Sequence, residues 1–517
     1  MDNKVRFINL RPFVCAFVSV ILGILSGTSL VRFGAGAAIT IITTAILTFT
    51  VVYFLTRKYC GDYAKITVVL CLFAYLIFSV ITIIAAAKSY NAAKDGYYTL
   101  DGEVDAVGYS YDYYDDVKVY GVTVKGDAGG KKITARIKIE TDKEVIIGTK
   151  IKITARFLKQ TGTLDKNALD YFKSGTTHTA EDVKSVKVYD YGEKGHDFFY
   201  TVRHIIFTTL KGAMPKSYGT AYALITGESG HVKTEHKDAF VNAGVIHLLA
   251  VSGLHVGFLS ELIFTALKLM RIKRQNGAFI CVLITFLYVA VTGFTPSATR
   301  AFIITAVVQI GSSFGYKADR LSALGFSGII ILTLNFRDLF SVGFILSFTV
   351  YAGLILLTKP IENSLCRILP LKAAKFFAPY LAAYFSSLPV LIYVFKTTLF
   401  ISPLLNILVI PVAGIAFSYL FCALLLCMPF KWLYFILKPL DFLLTKFGDT
   451  MGSAYIAPFI IGADKSLFSL AAFYMAAFVI TDKLNIPDKK RGSIALTFVA
   501  IGAVLLLLAN LGSQLLI

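Results

Sequence analysis

The sequence is short of charge and of the motifs that mark soluble catalysts. Only 16% of its 517 residues are charged, against 56% hydrophobic, and mean hydropathy is +0.69. An ordinary soluble domain carries a much smaller apolar share, so a polytopic membrane protein is the class that fits. No His-x-His occurs anywhere, and no Gly-x-x-x-x-Gly-Lys-Ser/Thr phosphate loop. The second absence argues against a chain that powers movement by nucleotide hydrolysis. Seven cysteines all lie in or beside apolar stretches, and none falls in the polar block 88–197. That excludes a readable disulfide framework or zinc spacing and leaves cysteine as a small buried hydrophobe.

Acidic residues are the scarcer sign, 32 against 51 basic, for a net charge of +19. The block 88–197 is neutral, with 18 basic and 18 acidic residues; the rest of the chain holds 33 basic and 14 acidic. A basic excess confined to loops between spans is first a topology signal. Three apolar runs open the chain, 12–31, 35–55 and 66–87, each close to the ~20 residues that cross a bilayer. Lys4, Arg6 and Arg11 precede the first, and Arg57, Lys58 and Lys65 separate the second from the third. The positive-inside rule then puts the N-terminus in the cytoplasm and block 88–197 outside. A cleaved signal peptide is disfavoured by the length of the first run and by the two spans behind it.

Within that block, residues 117–124, 132–139, 150–156 and 183–189 alternate polar and apolar side chains with period two. Such alternation predicts half-buried strands and an antiparallel barrel of about five of them, of which the OB fold is one kind. Residues 198–216 are amphipathic, with Arg203, His204, Lys211 and Lys216 among apolar side chains, and suit an interfacial helix or a plain re-entry helix. From 241 onward about ten more apolar runs follow, punctuated by basic loops at 271–274, 317–320, 359–375, 431 and 482–491. The expected architecture is a polytopic α-helical membrane protein of about 13 spans with a small extracytoplasmic, all-β, OB-like barrel. Its expected parts are a three-span segment 1–87, the β domain 88–197, a connector 198–240 and a transmembrane domain 241–517. Gly23 and Gly27 form a Gly-x-x-x-Gly in the first span, a helix-packing signal.

One stretch concentrates polarity in an apolar setting: His247-Leu-Leu-Ala-Val-Ser-Gly-Leu-His-Val-Gly257. Ionisable groups at membrane depth face a bundle interior or a wet cavity and mark a path or a site. On an unbroken helix His247 and His255 stand about 80° apart and could share one lumen. If Gly253 unwinds the turn, the N–H groups of residues 251–254 offer weak anion contacts. The bland reading is that both imidazoles bond to neighbouring carbonyls and fix packing. Ser252 beside His255 invites a hydrolase reading, but no third orienting carboxylate and no strand–turn–helix elbow is legible. Two histidines are too few for a closed or catalytic zinc site.

The same eleven residues resemble the signature of the competence domain of the ComEC family of DNA-uptake channels. Companions follow in order. Thr292-Gly-Phe-Thr-Pro-Ser-Ala-Thr-Arg-Ala301 resembles the family's Pro-Ser-x-x-Arg-Ala element. Asp338-Leu-Phe-Ser-Val-Gly-Phe-Ile-Leu-Ser-Phe348 resembles its Leu-Phe-x-x-Gly-Phe-x-Leu-Ser-Phe element, and Pro403–Pro411 resembles its Asn-x-x-x-x-Pro element. Leu224-Ile-Thr-Gly-Glu-Ser-Gly230 resembles the stretch before the signature, and residues 164–175 resemble the closing element of the family's OB-like domain. Without His-x-His, the chain is similar to the form that lacks the C-terminal metallo-β-lactamase-like domain.

The resemblance implies a channel in the bacterial cytoplasmic membrane passing single-stranded DNA inward during natural transformation, not an enzyme, and without cofactor or metal. It implies a path lined by His247, Ser252, Gly253, His255, Ser297, Arg300 and Asn406. Tyr111, Tyr113, Lys131 and Lys132 are the expected external DNA contacts, since single strands are gripped by aromatics along a basic groove. Asp112, Asp115 and Asp116 beside those tyrosines oppose it. Partners implied are single-stranded DNA, membrane lipid, and separate DNA receptor, nuclease and helicase or motor proteins, with a homo-oligomer left open. A small-solute or lipid-precursor transporter and an intramembrane hydrolase are the rival classes.

Overall fold

A computed structural model describes residues 12–33, 62–90, 95–114, 117–128, 130–159, 176–189, 198–242, 244–315, 319–395, 397–398, 402–453 and 459–460. The run 35–55, the element 164–175 and the two last expected spans lie outside them.

Period-two alternation builds the barrel. Strands β1 (Gly96–Tyr114), β2 (Val117–Ala128), β3 (Lys131–Thr141), β4 (Lys150–Lys159) and β5 (His178–Val188) close in the order β1-β2-β3-β5-β4. All pairs are antiparallel except β3 with β5, joined in parallel at Ala135↔His178 and Arg136↔Thr179. Every second residue points in: Ile133, Ala135, Ile137 and Ile139 on β3, and Ile151, Ile153, Ala155 and Phe157 on β4, are all buried. The four expected strands are β2 to β5. The strand that alternation does not reveal is β1, and its register explains why. It shifts between Val104 and Ala106, between Val107 and Tyr109, and between Asp112 and Tyr114. Extra residues of this kind bend a strand and break its inward–outward rhythm. Strand β1 pairs β4 over Gly96–Glu103 and β2 over Leu100–Tyr114, so that Leu100–Glu103 have a strand on each side.

The remaining described elements are helical, apart from a two-stranded pairing of Thr397–Thr398 with Phe459–Ile460. Four helices are long and apolar enough to cross a membrane: α7 (Arg274–Val291), α10 (Val342–Leu365), and most of α11 (Leu371–Phe395) and α12 (Ser402–Cys427). Shorter apolar stretches lie in α1 (Pro12–Phe33), α2 (Asp62–Tyr90) and α9 (Arg320–Leu334). Two helices amid these belong to neither group: α6 (Gly253–Leu269) and α8 (Pro296–Ser313). Helix α6 is 17 residues long and carries Glu261 and Lys268, and α8 carries Arg300 and Gln309.

The Gly-x-x-x-Gly is a contact. A Cβ on Gly23 would run into the Tyr75 carbonyl of α2, and one on Gly27 would meet the Ser79 carbonyl at 2.8 Å. Small residues let the backbones approach, and Ser79 Oγ then donates across to Gly23 O at 3.0 Å. Gly23→Leu should push α1 off α2. Overpacking of about 1–3 kcal/mol is expected, read as a lower unfolding midpoint in detergent, while Leu22→Ala on the exposed side should change little.

The apolar run that follows the basic residue at 431, residues 432–447, is divided. A 3-10 turn runs Lys431–Ile436, and α13 (Lys438–Ser453) follows. Pro439 has no N–H to give and suits a helix's first turn, where that N–H is not needed, so a new helix starts beside it. Between barrel and helices lie α3 (Phe198–Ala213), α4 (Tyr218–Thr226), the turn Ser229–His231 and α5 (Thr234–Asn242). The barrel rests on α3 and on that turn. Gly148 packs on the Tyr200 ring, Gly230 on Val107, and Lys211 Nζ meets Glu144 Oε1 at 2.5 Å.

Candidate functional site

The signature does not form one helix. His247 lies in a short turn, Ile246–Leu248, and α6 begins at Gly253 instead of being broken there. The expectation of two imidazoles 80° apart on a common axis is therefore corrected. The cause is a capping box. Ser252 adopts extended backbone, and its Oγ accepts from Leu254 N at 3.2 Å. His255, in the first turn, turns back so that Nδ1 accepts from Ser252 N at 3.1 Å. The local bonds satisfy N–H groups that a helix start otherwise leaves without partners. Two of the four N–H groups expected to be open to a passing anion, those of Ser252 and Leu254, are thus already engaged.

His255 is 2% exposed and stands edge-on to the Phe417 ring of α12 at 5.1 Å. Ser252 Oγ is 3.2 Å from His255 Nδ1. That nitrogen already accepts the Ser252 N–H, and among the described residues no carboxylate forms an ion pair with His255. The pair is built as a helix cap. Nor, among those residues, do three His, Cys, Asp or Glu side chains come together as metal ligands.

Arg300 sits in the first turns of α8 and reaches α6 and α10. It is 6% exposed. Its Nη1 donates to Ser347 O of α10 at 2.5 Å, and its guanidinium lies 5.1 Å from the Tyr351 ring centroid and 6.0 Å from that of Phe348. Its Nη2 abuts Gly253: a Cβ built there would fall 2.8 Å from it. Ser297, one turn earlier, donates to Gly343 O at 3.3 Å. The structure thus gathers Ser252, Gly253, His255, Ser297 and Arg300 where α6, α8 and α10 meet. Asn406 lies on α12, whose Val409 packs with Leu248 and Leu249 beside His247. Gln309 donates to Ser260 at 2.5 Å and serves helix packing.

The barrel residues do not form one patch. Tyr111 pairs with Val119 and Lys131 with Ala128, at opposite ends of β2. Nine residues of strand put them about 30 Å apart.

A second cluster, between barrel and helices, was not singled out by the sequence. Glu228 and His231 are both buried, with Oε1 and Nε2 3.6 Å apart. Glu228 Oε2 accepts from Tyr222 Oη at 3.3 Å and from Ile147 N of the barrel at 3.4 Å. Burial, with the Glu228 carboxylate beside it, holds the Tyr222 phenol protonated well above its ordinary range, and buried Arg203 works against that rise. The imidazole of His231 is ringed by Phe207, Tyr222 and Tyr120, at 4.9, 5.9 and 6.1 Å. This cluster reaches the signature through Gly227. With φ +80°, Gly227 ends α4 and packs on Val251, where a Cβ would lie 2.9 Å from Val251 N. The only signal available was Glu228 inside the quoted stretch 224–230.

Comparison with known proteins agrees with the motifs. A family model described as competence protein matches residues 224–485, half of the chain. ComE operon protein 3 of Bacillus subtilis (strain 168) is 27% identical over 365 residues, covering 69% of this chain and 45% of that protein. The chain therefore spans less than half the length of this relative. No solved structure matches. Apolar helices of this length, in this family, are those of a cytoplasmic-membrane protein. On its motifs, its helices and the family model, the chain belongs to the competence protein family, the ComEC group that its signature resembles.

Proposed function

We propose that this chain is the membrane conduit of a DNA-uptake system and passes a single strand inward without itself doing chemistry. The observation that carries this is the junction of α6, α8 and α10. There a buried guanidinium, with no carboxylate ion pair among the described residues, faces the capped start of the signature helix. Charge inside a membrane protein is retained where it meets a substrate path. Family membership supplies DNA as that substrate.

The charge pattern supports a cytoplasmic N-terminus, an external barrel and about 13 crossings. The barrel receives or positions the strand. Its aromatic and basic candidates lie at opposite ends of β2, and Asp112, Asp115 and Asp116 beside the tyrosines oppose phosphate, which favours positioning over grip. Receptor, nuclease and motor are separate chains, and a homo-oligomer fits equally.

The test is the full chain in liposomes with labelled single- and double-stranded oligonucleotides outside. Single-stranded label should become resistant to added nuclease, and double-stranded label should not. If no label is protected even with motor and nuclease partners present, the conduit reading falls and a transporter of small solutes or lipid precursors takes its place.

A further inference from the structure

The guanidinium of Arg300 is a buried cation with an incomplete set of partners. Nη1 has Ser347 O, and two aromatic rings lie against the group. Nε is buried and bonds to nothing, and among the described residues no carboxylate reaches Arg300 as an ion pair. Burying a charge unpaired is strongly unfavourable, so a chain that keeps one leaves its counter-charge to be supplied from outside.

The surroundings say what that counter-charge is. Arg300 points at the N-terminus of α6, a 17-residue helix whose start favours anions through its dipole. Guanidinium binds phosphate oxygens through parallel N–H bonds, a match of shape that a halide lacks. Gly257, one turn beyond Gly253 on α6, and Gly343, one turn before Ser347 on α10, are both exposed, and a Cβ on either meets nothing within 4 Å.

We propose that Arg300, set beside the positive end of the α6 dipole, forms a coordination site for one phosphodiester group, with Gly253 keeping the guanidinium in place. The inference rests on the conduit reading and names its contact point. A single cation among apolar walls holds one phosphate at a time, weakly enough to let it go, as a path requires. Gly253 has an ordinary helical backbone, so its role is the space it leaves. A methyl there would push Nη2 away while Nη1 remains tied to Ser347.

The full chain in lipid nanodiscs tests this with thymidylyl-thymidine, which carries one phosphodiester, and its uncharged methylphosphonate analogue. Binding and unfolding temperature are measured for the parent, Arg300→Met, Arg300→Lys and Gly253→Ala. The parent should be stabilised by the phosphodiester and not by the analogue. Arg300→Met should unfold at a higher temperature than the parent without ligand, because an unpaired charge has gone, and should ignore the ligand. Gly253→Ala should fold, keep Arg300 and bind about tenfold more weakly or worse. Arg300→Lys should fall between. The site is refuted if Arg300→Met is less stable than the parent, since Arg300 is then an ordinary structural group. It is refuted also if Gly253→Ala binds as the parent does. Phosphodiester binding without strand protection in liposomes would uphold the site and overturn the conduit; protection with undiminished binding by both variants would do the reverse.

Discussion

His255→Leu leaves the chain inserted in the membrane and abolishes strand protection in liposomes, whereas His255→Gln keeps a measurable part of it. The expectation follows from where the imidazole's proton acceptor points. Nδ1 takes the Ser252 N–H and so fixes the N-cap of α6. Glutamine is a natural occupant of this capping-box position, because its side-chain oxygen reaches the same N–H; leucine cannot. The lost cap is worth about 0.5–2 kcal/mol, too little to unfold the bundle. It is enough to let the first turn of α6 fray, and that turn lies against Arg300. Insertion is followed by membrane fractionation and passage by nuclease resistance. Normal passage in the leucine variant would mean that the signature is packing alone. Equal loss in both variants would shift the role from the cap to the imidazole itself.

Glu228→Leu has a larger expected effect on stability. The carboxylate is acceptor for the barrel's Ile147 N–H and for Tyr222 Oη, and it faces His231. Arg203 is buried near the same phenol. Removing one member of a buried charged group leaves the others uncompensated, at about 3–5 kcal/mol. Limited proteolysis should cut the barrel's connections to the helices much faster than in the parent. Glu228→Gln retains an acceptor oxygen and should be milder. A leucine variant as protease-resistant as the parent would show that barrel and bundle are held by apolar contacts such as Val107 on Gly230.

What could be read from the chain, and what could not, divides by distance. Strands β2 to β5 were legible because alternation is a local property, and the Gly23–Gly27 contact because four-residue spacing places both on one helix face. Strand β1 was not, since its bulges destroy the alternation. The positions of the signature were legible, but not their geometry. Helical spacing was projected through residues that fold as a turn, a cap and a helix start. The site's most telling bonds join distant residues: Arg300 to Ser347 across 47 positions, Ile147 to Glu228 across 81. Nothing in one sequence pairs such positions, and so the cluster around Glu228 went unseen while Arg300 was found only through a motif.

The barrel closes unevenly, and this bears on recruitment. Strands β3 and β5 meet at two residue pairs, Ala135↔His178 and Arg136↔Thr179, whereas every antiparallel pair runs for eight or more. Beyond Arg136, among the described residues, β3 has ladder partners on its β2 side alone. A receptor that offers an extended segment therefore meets backbone groups on that edge, the place where a strand can be added to a sheet.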